Sequence, residues 1–105
     1  MKPHSPASKA KAIRIANKVA AFLRKRGATK VMLFGSLVTD DYRPGTSDID
    51  IYFEGIDYDE ECRVAGDAMT AFRKVNLDAI PAGHCQASFK KLVEEEGREL
   101  LPSGG

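Results

Sequence analysis

Apolar residues in the first quarter of the chain recur at three- and four-residue spacing. Ile13, Ala16, Ala20 and Leu23 form one stripe, which Ile15, Val19 and Phe22 widen. This period predicts an amphipathic helix from about Pro6 to Arg26. Arg24, Lys25 and Arg26 suit the negative end of a helix, and Gly27 follows where a helix stops most easily. The period then changes. "TKVMLFGS", residues 29–36, is a continuous apolar run with an abrupt Gly-Ser exit, as expected of a buried strand. "SDIDIYFEG", residues 47–55, alternates, with Asp48, Asp50 and Tyr52 on one face and Ile49, Ile51 and Phe53 on the other. Residues 57–73 return to the helical period, with Ala65, Ala68, Met69 and Phe72 on one side. "KVNLDAIPAG", residues 74–83, alternates again: Val75, Leu77 and Ala79 against Asn76, Asp78 and Ile80. A last helix is expected from about Gln86 to Leu100, with Phe89, Leu92 and Val93 facing in. The order α-β-β-α-β-α predicts an α/β (α+β) fold, with helices packed on a small mixed β-sheet in two layers. Residues 1–6 and 102–105 read as flexible tails around a single domain, 7–101.

Length and composition narrow this picture. A chain of 105 residues builds one modest core and has no room for a separate substrate domain. No run approaches the roughly 20 apolar residues that a membrane helix needs. "MKPHSPASKAK" has no apolar centre of the signal-peptide kind, so a cytoplasmic location is expected. Cys62 and Cys85 form no CxxC pair and read as free thiols in a reducing compartment.

The net charge is only +1, but it is unevenly spread. Nine of the sixteen basic residues fall in positions 1–30, and no acid precedes Asp40. A solvated helix face is the favoured reading of that basic segment, with direct nucleic-acid contact left open. Positions 40–61 then hold nine acids and one base, Arg43. Crowded carboxylates repel unless something positive sits among them.

The sharpest case is Asp48 with Asp50. At i and i+2 on a strand, both side chains leave the same face, roughly 7 Å apart at ~3.3 Å per residue. Mg²⁺ answers such a pair, because it takes carboxylate oxygen and keeps places for water and substrate phosphate. Asp78 points away from Val75 and Leu77 on its own strand and is a candidate third carboxylate. Gly35, without a Cβ, lets a phosphate approach the backbone, and Ser36 adds a hydroxyl and an N–H at a strand exit. Arg43, in a loop bending at Pro44-Gly45, is a further candidate for phosphate contact. Plainer readings exist for each: a turn cap at Asp48, a solvent-facing strand residue at Asp50 or Asp78, a turn hydroxyl at Ser36, a solvated arginine at Arg43. The metal reading is favoured because Asp is depleted in strands and two on one face are costly.

Together, Gly35-Ser36, the eleven-residue loop Leu37–Ser47, Asp48-Ile49-Asp50 and a later strand aspartate resemble the nucleotidyltransferases of the DNA polymerase β superfamily. The short, helix-first layout and the "GRELL" ending are most similar to its minimal nucleotidyltransferase (MNT) branch, of the MntA-like antitoxin type. The resemblance spans roughly Ala12 to Leu101. It departs from the usual minimal pattern in two places. The loop is one residue longer, and Val38 and Thr39 stand where many members carry an arginine.

The resemblance implies a Mg²⁺-dependent nucleotidyltransferase. Asp48, Asp50 and Asp78 would be catalytic and would ligate two Mg²⁺ ions, with Asp78 in a base role. Gly35, Ser36 and Arg43 would hold the triphosphate of ATP or another NTP. It also implies a protein partner, a HEPN-domain toxin whose tyrosine accepts AMP. Two alternatives are kept: an antitoxin that neutralises its partner by binding alone, and an aminoglycoside-type adenylyltransferase, against which the lack of a helical drug-binding domain counts. Other features read plainly. His84 and Cys85 are an ordinary loop pair, Glu94, Glu95 and Glu96 a solvated helix face, and Tyr52 either a pocket residue or sheet packing.

Overall fold

The computed structural model describes residues 8–39, 41–44 and 47–102. Helix α1, Lys9–Lys25, starts at Ser8, whose side-chain oxygen accepts the Lys11 N–H at 3.1 Å. A hydroxyl there satisfies one of the free donors of the first turn. The expected start at Pro6 and the tail 1–6 lie outside the described residues, as do positions 103–105. The helix ends as its sequence indicates: Arg24 and Lys25 occupy the last turn, and Gly27 takes φ +112°, open to glycine at little cost. Its buried stripe is Ala12, Ala16, Val19, Ala20 and Leu23. Ile13 and Ile15 are only half-buried, so the helix is rotated slightly from the expected face.

Strand β1 is Lys30–Phe34, followed by a 3₁₀ turn at Gly35–Leu37. Strand β2 is Ile49–Glu54, helix α2 is Tyr58–Ala71, and strand β3 is Leu77–Pro81. Asp59, Glu60 and Glu61 in the first turn of α2 suit its positive end. A second 3₁₀ turn, Ala82–His84, leads to helix α3, Ala87–Glu96, and a two-residue strand β4, Arg98–Glu99.

The sheet order is β3-β2-β1-β4. β1 runs antiparallel to β2 and β4, and β2 runs parallel to β3, with α2 as the crossover between them. The mixed α/β architecture and the element order are thus those expected, with one addition. The last helix stops at Glu96 instead of reaching Leu100. There the Gly97 N–H closes back to the Val93 carbonyl at 2.7 Å, and Arg98 and Glu99 pair with Leu33 and Met32. The Arg24 guanidinium bonds the Leu100 carbonyl and ties this end back onto α1.

The main core lies between one sheet face and helices α1 and α2. Leu23, Val31, Leu33, Ile49, Ile51 and Phe53 are fully buried there. At about 1.5–3 kcal/mol for each large side chain buried, this layer holds the strands in register. Helix α3 covers part of the opposite face, over Met32 and Tyr52, through Val93 and Phe89. Leu92, expected to face in, is 49% exposed, and Met69, from the apolar side of α2, is 37% exposed. Leu92 adjoins Val93 on a short helix that touches the sheet along a narrow line, so only one of the two faces in. No described helix is long and apolar enough to cross a membrane.

Candidate active site

The carboxylates gather at one end of the sheet, where β1 ends and β2 and β3 begin. Parallel pairing sets Asp50 directly beside Asp78, and antiparallel pairing sets Phe34 on its other side. Asp48 stands one residue ahead of β2, exposed to solvent, and Asp78 is exposed as well. Asp50 is half-buried. Its carboxyl is pushed up from 3.8 to about 6, first by burial, then by the charges of Asp48 and Asp78. Among the described residues no Lys, Arg or His lies within 4.0 Å of any of the three. Their mutual repulsion is therefore answered by no described basic side chain.

Gly35 explains the sharp exit from β1. It takes φ +74°, and a Cβ placed there would overlap the Asp50 Oδ2. Glycine thus does two things at once: it turns the chain, and it lets the backbone lie directly against the carboxylate. Ser36 follows in the 3₁₀ turn, which the Val38 N–H closes onto the Gly35 carbonyl at 3.1 Å. Sequence expectation and structure agree in bringing Gly35, Asp50, Asp48 and Asp78 to one end of the sheet. Arg43 is less closely tied to it. Its side chain is exposed, and its backbone exchanges hydrogen bonds with Ser47, N–H to Oγ at 2.8 Å and carbonyl to N–H at 2.9 Å. The bend expected at Pro44-Gly45 lies partly outside the described residues.

Donor chemistry and charge both suit Mg²⁺. The donors are carboxylate oxygens and the local charge is negative and unanswered. Among the described residues no three or more His, Cys, Asp or Glu side chains are already drawn together as a metal cage.

Tyr52 resolves to packing. It is fully buried beneath α3, and its hydroxyl donates to Glu54 at 2.6 Å. Burial and that bond push its phenol well up. His84 is more than a loop residue. Its Nδ1 lies 2.6 Å from the Glu61 Oε1, and its ring stacks on Tyr58 at 4.0 Å between centroids. Glu61 is only 2% exposed, so His84 answers a buried acid. Two residues of interest escaped sequence reasoning. Arg73 and Met69 line an open cleft of about 440 Å³ together with Asp48 and Asp78. A base immediately ahead of the Asp78 strand was the available clue to Arg73.

A family model, the nucleotidyltransferase domain, matches residues 15–100. Among curated proteins no relative matches in sequence. Solved structures match in fold. A chain from a toxin–antitoxin complex with AMP-PNP superposes with TM-score 0.64 at 21% identity, covering 85% of this chain and 74% of the other. A chain from the complex of tri-AMPylated Shewanella oneidensis HEPN toxin with MNT antitoxin gives 0.61 at 21%, covering 88% and 73%. A Sulfolobus solfataricus protein assigned as a nucleotidyltransferase gives 0.62 at 20%, covering 90% and 84%.

Proposed function

We propose that this chain, which belongs to the nucleotidyltransferase domain family, moves AMP from ATP to a hydroxyl of a protein partner and acts as the antitoxin of a toxin–antitoxin pair. The observation that carries the reading is Asp50 paired beside Asp78 and under the charge of Asp48 at one sheet end, unanswered by any described base, against the Cβ-free backbone of Gly35. The three carboxylates would hold Mg²⁺. Bound there, the metal would make the acceptor hydroxyl more acidic and offset the charge of the triphosphate. Gly35 and Ser36 would seat the triphosphate tail against the backbone, with Arg43 reaching it from the loop. Asp78 would take the acceptor's proton on its carboxylate. The acceptor oxygen would then attack the α-phosphate and pyrophosphate would leave. Much of the rate would come from holding the reactants in line.

A tyrosine of a HEPN-type toxin is the proposed acceptor. Support comes from the fold neighbours, which include a toxin–antitoxin complex with AMP-PNP and a complex holding a tri-AMPylated HEPN toxin. The free thiols Cys62 and Cys85 are in keeping with a reducing cytoplasm.

The test is a transfer assay with α-labelled ATP, Mg²⁺ and a candidate HEPN-domain partner, run beside the Asp48→Asn/Asp50→Asn double variant. Label on a partner tyrosine, lost with the variant, is the expected result. Neutralisation of the partner without label, equally by wild type and variant, would overturn the enzymatic reading in favour of neutralisation by binding alone.

A further inference from the structure

Arg73 lies on the side of the carboxylates away from Gly35. The order across the sheet end runs from Gly35 at the exit of β1, through Asp50 on β2, to Asp78 on β3, the edge strand. At that edge opens a cleft bordered by Asp48 and Asp78 and lined also by Arg73, Val75, Met69 and Leu77. Neither Gly35, Ser36 nor Asp50 lines it. Arg73 is exposed and, among the described residues, makes no ion pair, although two carboxylates border the same cleft. Met69 is an exposed large apolar side chain at the same place.

In-line displacement at a phosphorus puts the attacking and leaving oxygens on opposite sides. If pyrophosphate leaves toward Gly35 and Ser36, the acceptor must enter from the Asp78 side, through the Arg73 cleft. We infer that Arg73 selects the acceptor: it pairs with a carboxylate carried next to the acceptor hydroxyl on a peptide, while Met69, Val75 and Leu77 receive the apolar part of that residue. This deepens the transferase reading and rests on it. A peptide fits better than a nucleic acid. One guanidinium matches one carboxylate, whereas a run of phosphates would meet the exposed Asp48 and Asp78 as well. A tyrosine flanked by an acidic residue supplies both halves of what the cleft offers: an apolar ring and a negative neighbour.

The experiment uses two synthetic peptides, each with one tyrosine, flanked by glutamates in one and by lysines in the other. Wild type, Arg73→Glu and Arg73→Lys are compared for AMP transfer and for Mg–ATP binding by calorimetry. Wild type should favour the glutamate peptide by about tenfold or more, read as KM for the peptide. Arg73→Glu should reverse that preference, Arg73→Lys should keep it in weaker form, and Mg–ATP affinity should be unchanged in both. A preference that survives Arg73→Glu overturns the inference. So does a loss of Mg–ATP affinity with the preference intact, which would make Arg73 a triphosphate contact. A wild type that binds Mg–ATP but labels neither peptide also overturns it. A wild type that binds no Mg–ATP sinks the transferase reading itself, and the inference with it.

Discussion

Replacing Asp50 by asparagine should make the protein more stable while abolishing its chemistry. The Asp50 carboxyl rises from 3.8 in its ordinary setting to about 6 in the fold, chiefly through burial and then through Asp48 and Asp78. A folded state that holds the proton more tightly than the unfolded chain is favoured at low pH. That advantage is lost as pH rises from 3.8 through about 6, and above this range the ionised carboxylate is a constant penalty. In a dry site the gap would be worth about 3 kcal/mol. Asp50 is only half-buried, and solvent at the open end of the sheet screens it, so about 1–2 kcal/mol is the working figure. Asparagine keeps the shape and removes the charge. In a domain of this size each kcal/mol shifts the midpoint by about 4–8 °C. Thermal melts of wild type and Asp50→Asn in EDTA should therefore separate at pH 7.5, with the variant higher, and converge as the pH falls toward 4.5. Millimolar Mg²⁺ should raise the wild type more than the variant, because only the wild type keeps the full charge that a cation relieves. A variant that melts lower than wild type at pH 7.5, or a gap that does not change with pH, would refute the reasoning.

Two further substitutions probe what surrounds that carboxylate and what does not. Gly35→Ala forces a left-handed backbone on a residue with a Cβ and drives that Cβ into the Asp50 carboxylate. It should cost about 1–3 kcal/mol in urea denaturation and eliminate AMP transfer; a variant of wild-type stability and rate would mean that the turn is not tight. His84→Ala strips the buried Glu61 of its partner and should cost about 1–3 kcal/mol, with Mg–ATP affinity unchanged, because His84 lies past the other end of β3 from Asp78. The Glu61→Leu/His84→Ala double variant should recover part of that loss. No recovery would place the stabilisation elsewhere than in the Glu61–His84 hydrogen bond.

The elements that the sequence disclosed are those whose periodicity is enforced by a broad buried face. α1, β1 and β2 all press on the main core, so their apolar positions repeat cleanly, and the strand alternation put Asp50 and Asp78 on one face, as their pairing does. The elements that escaped are those with little to bury. β4 is two residues long, both exposed, and exists only because β1 offers it a ladder. α3 touches the sheet mainly through Val93, so a stripe including Leu92 overstated its inner face. Met69 sat in the apolar stripe of α2 yet faces the cleft, since composition alone cannot tell an inner helix face from a binding wall.

The acidic block teaches a finer distinction, because it contains two acids withdrawn from solvent that end differently. Glu61 is almost wholly buried and Asp50 only half, so depth alone would make Glu61 the more costly charge. Yet Glu61 bonds His84 within hydrogen-bond distance, and its place in the fold is closed: a carboxylate, an imidazole and a stacked Tyr58. Among the described residues no base answers Asp50; it is half-buried beside Asp48, Asp78 and the bare backbone of Gly35, and burial and those charges raise its proton affinity. Sequence could not separate the two, since the base that answers Glu61 lies twenty-three positions downstream and reaches it only through the turn after β3. What marks a cation site is therefore not a carboxylate withdrawn from water but one withdrawn from water and left without a base. By that criterion Asp50 is the carboxylate that suits the proposed cation, and Glu61 is part of the scaffold.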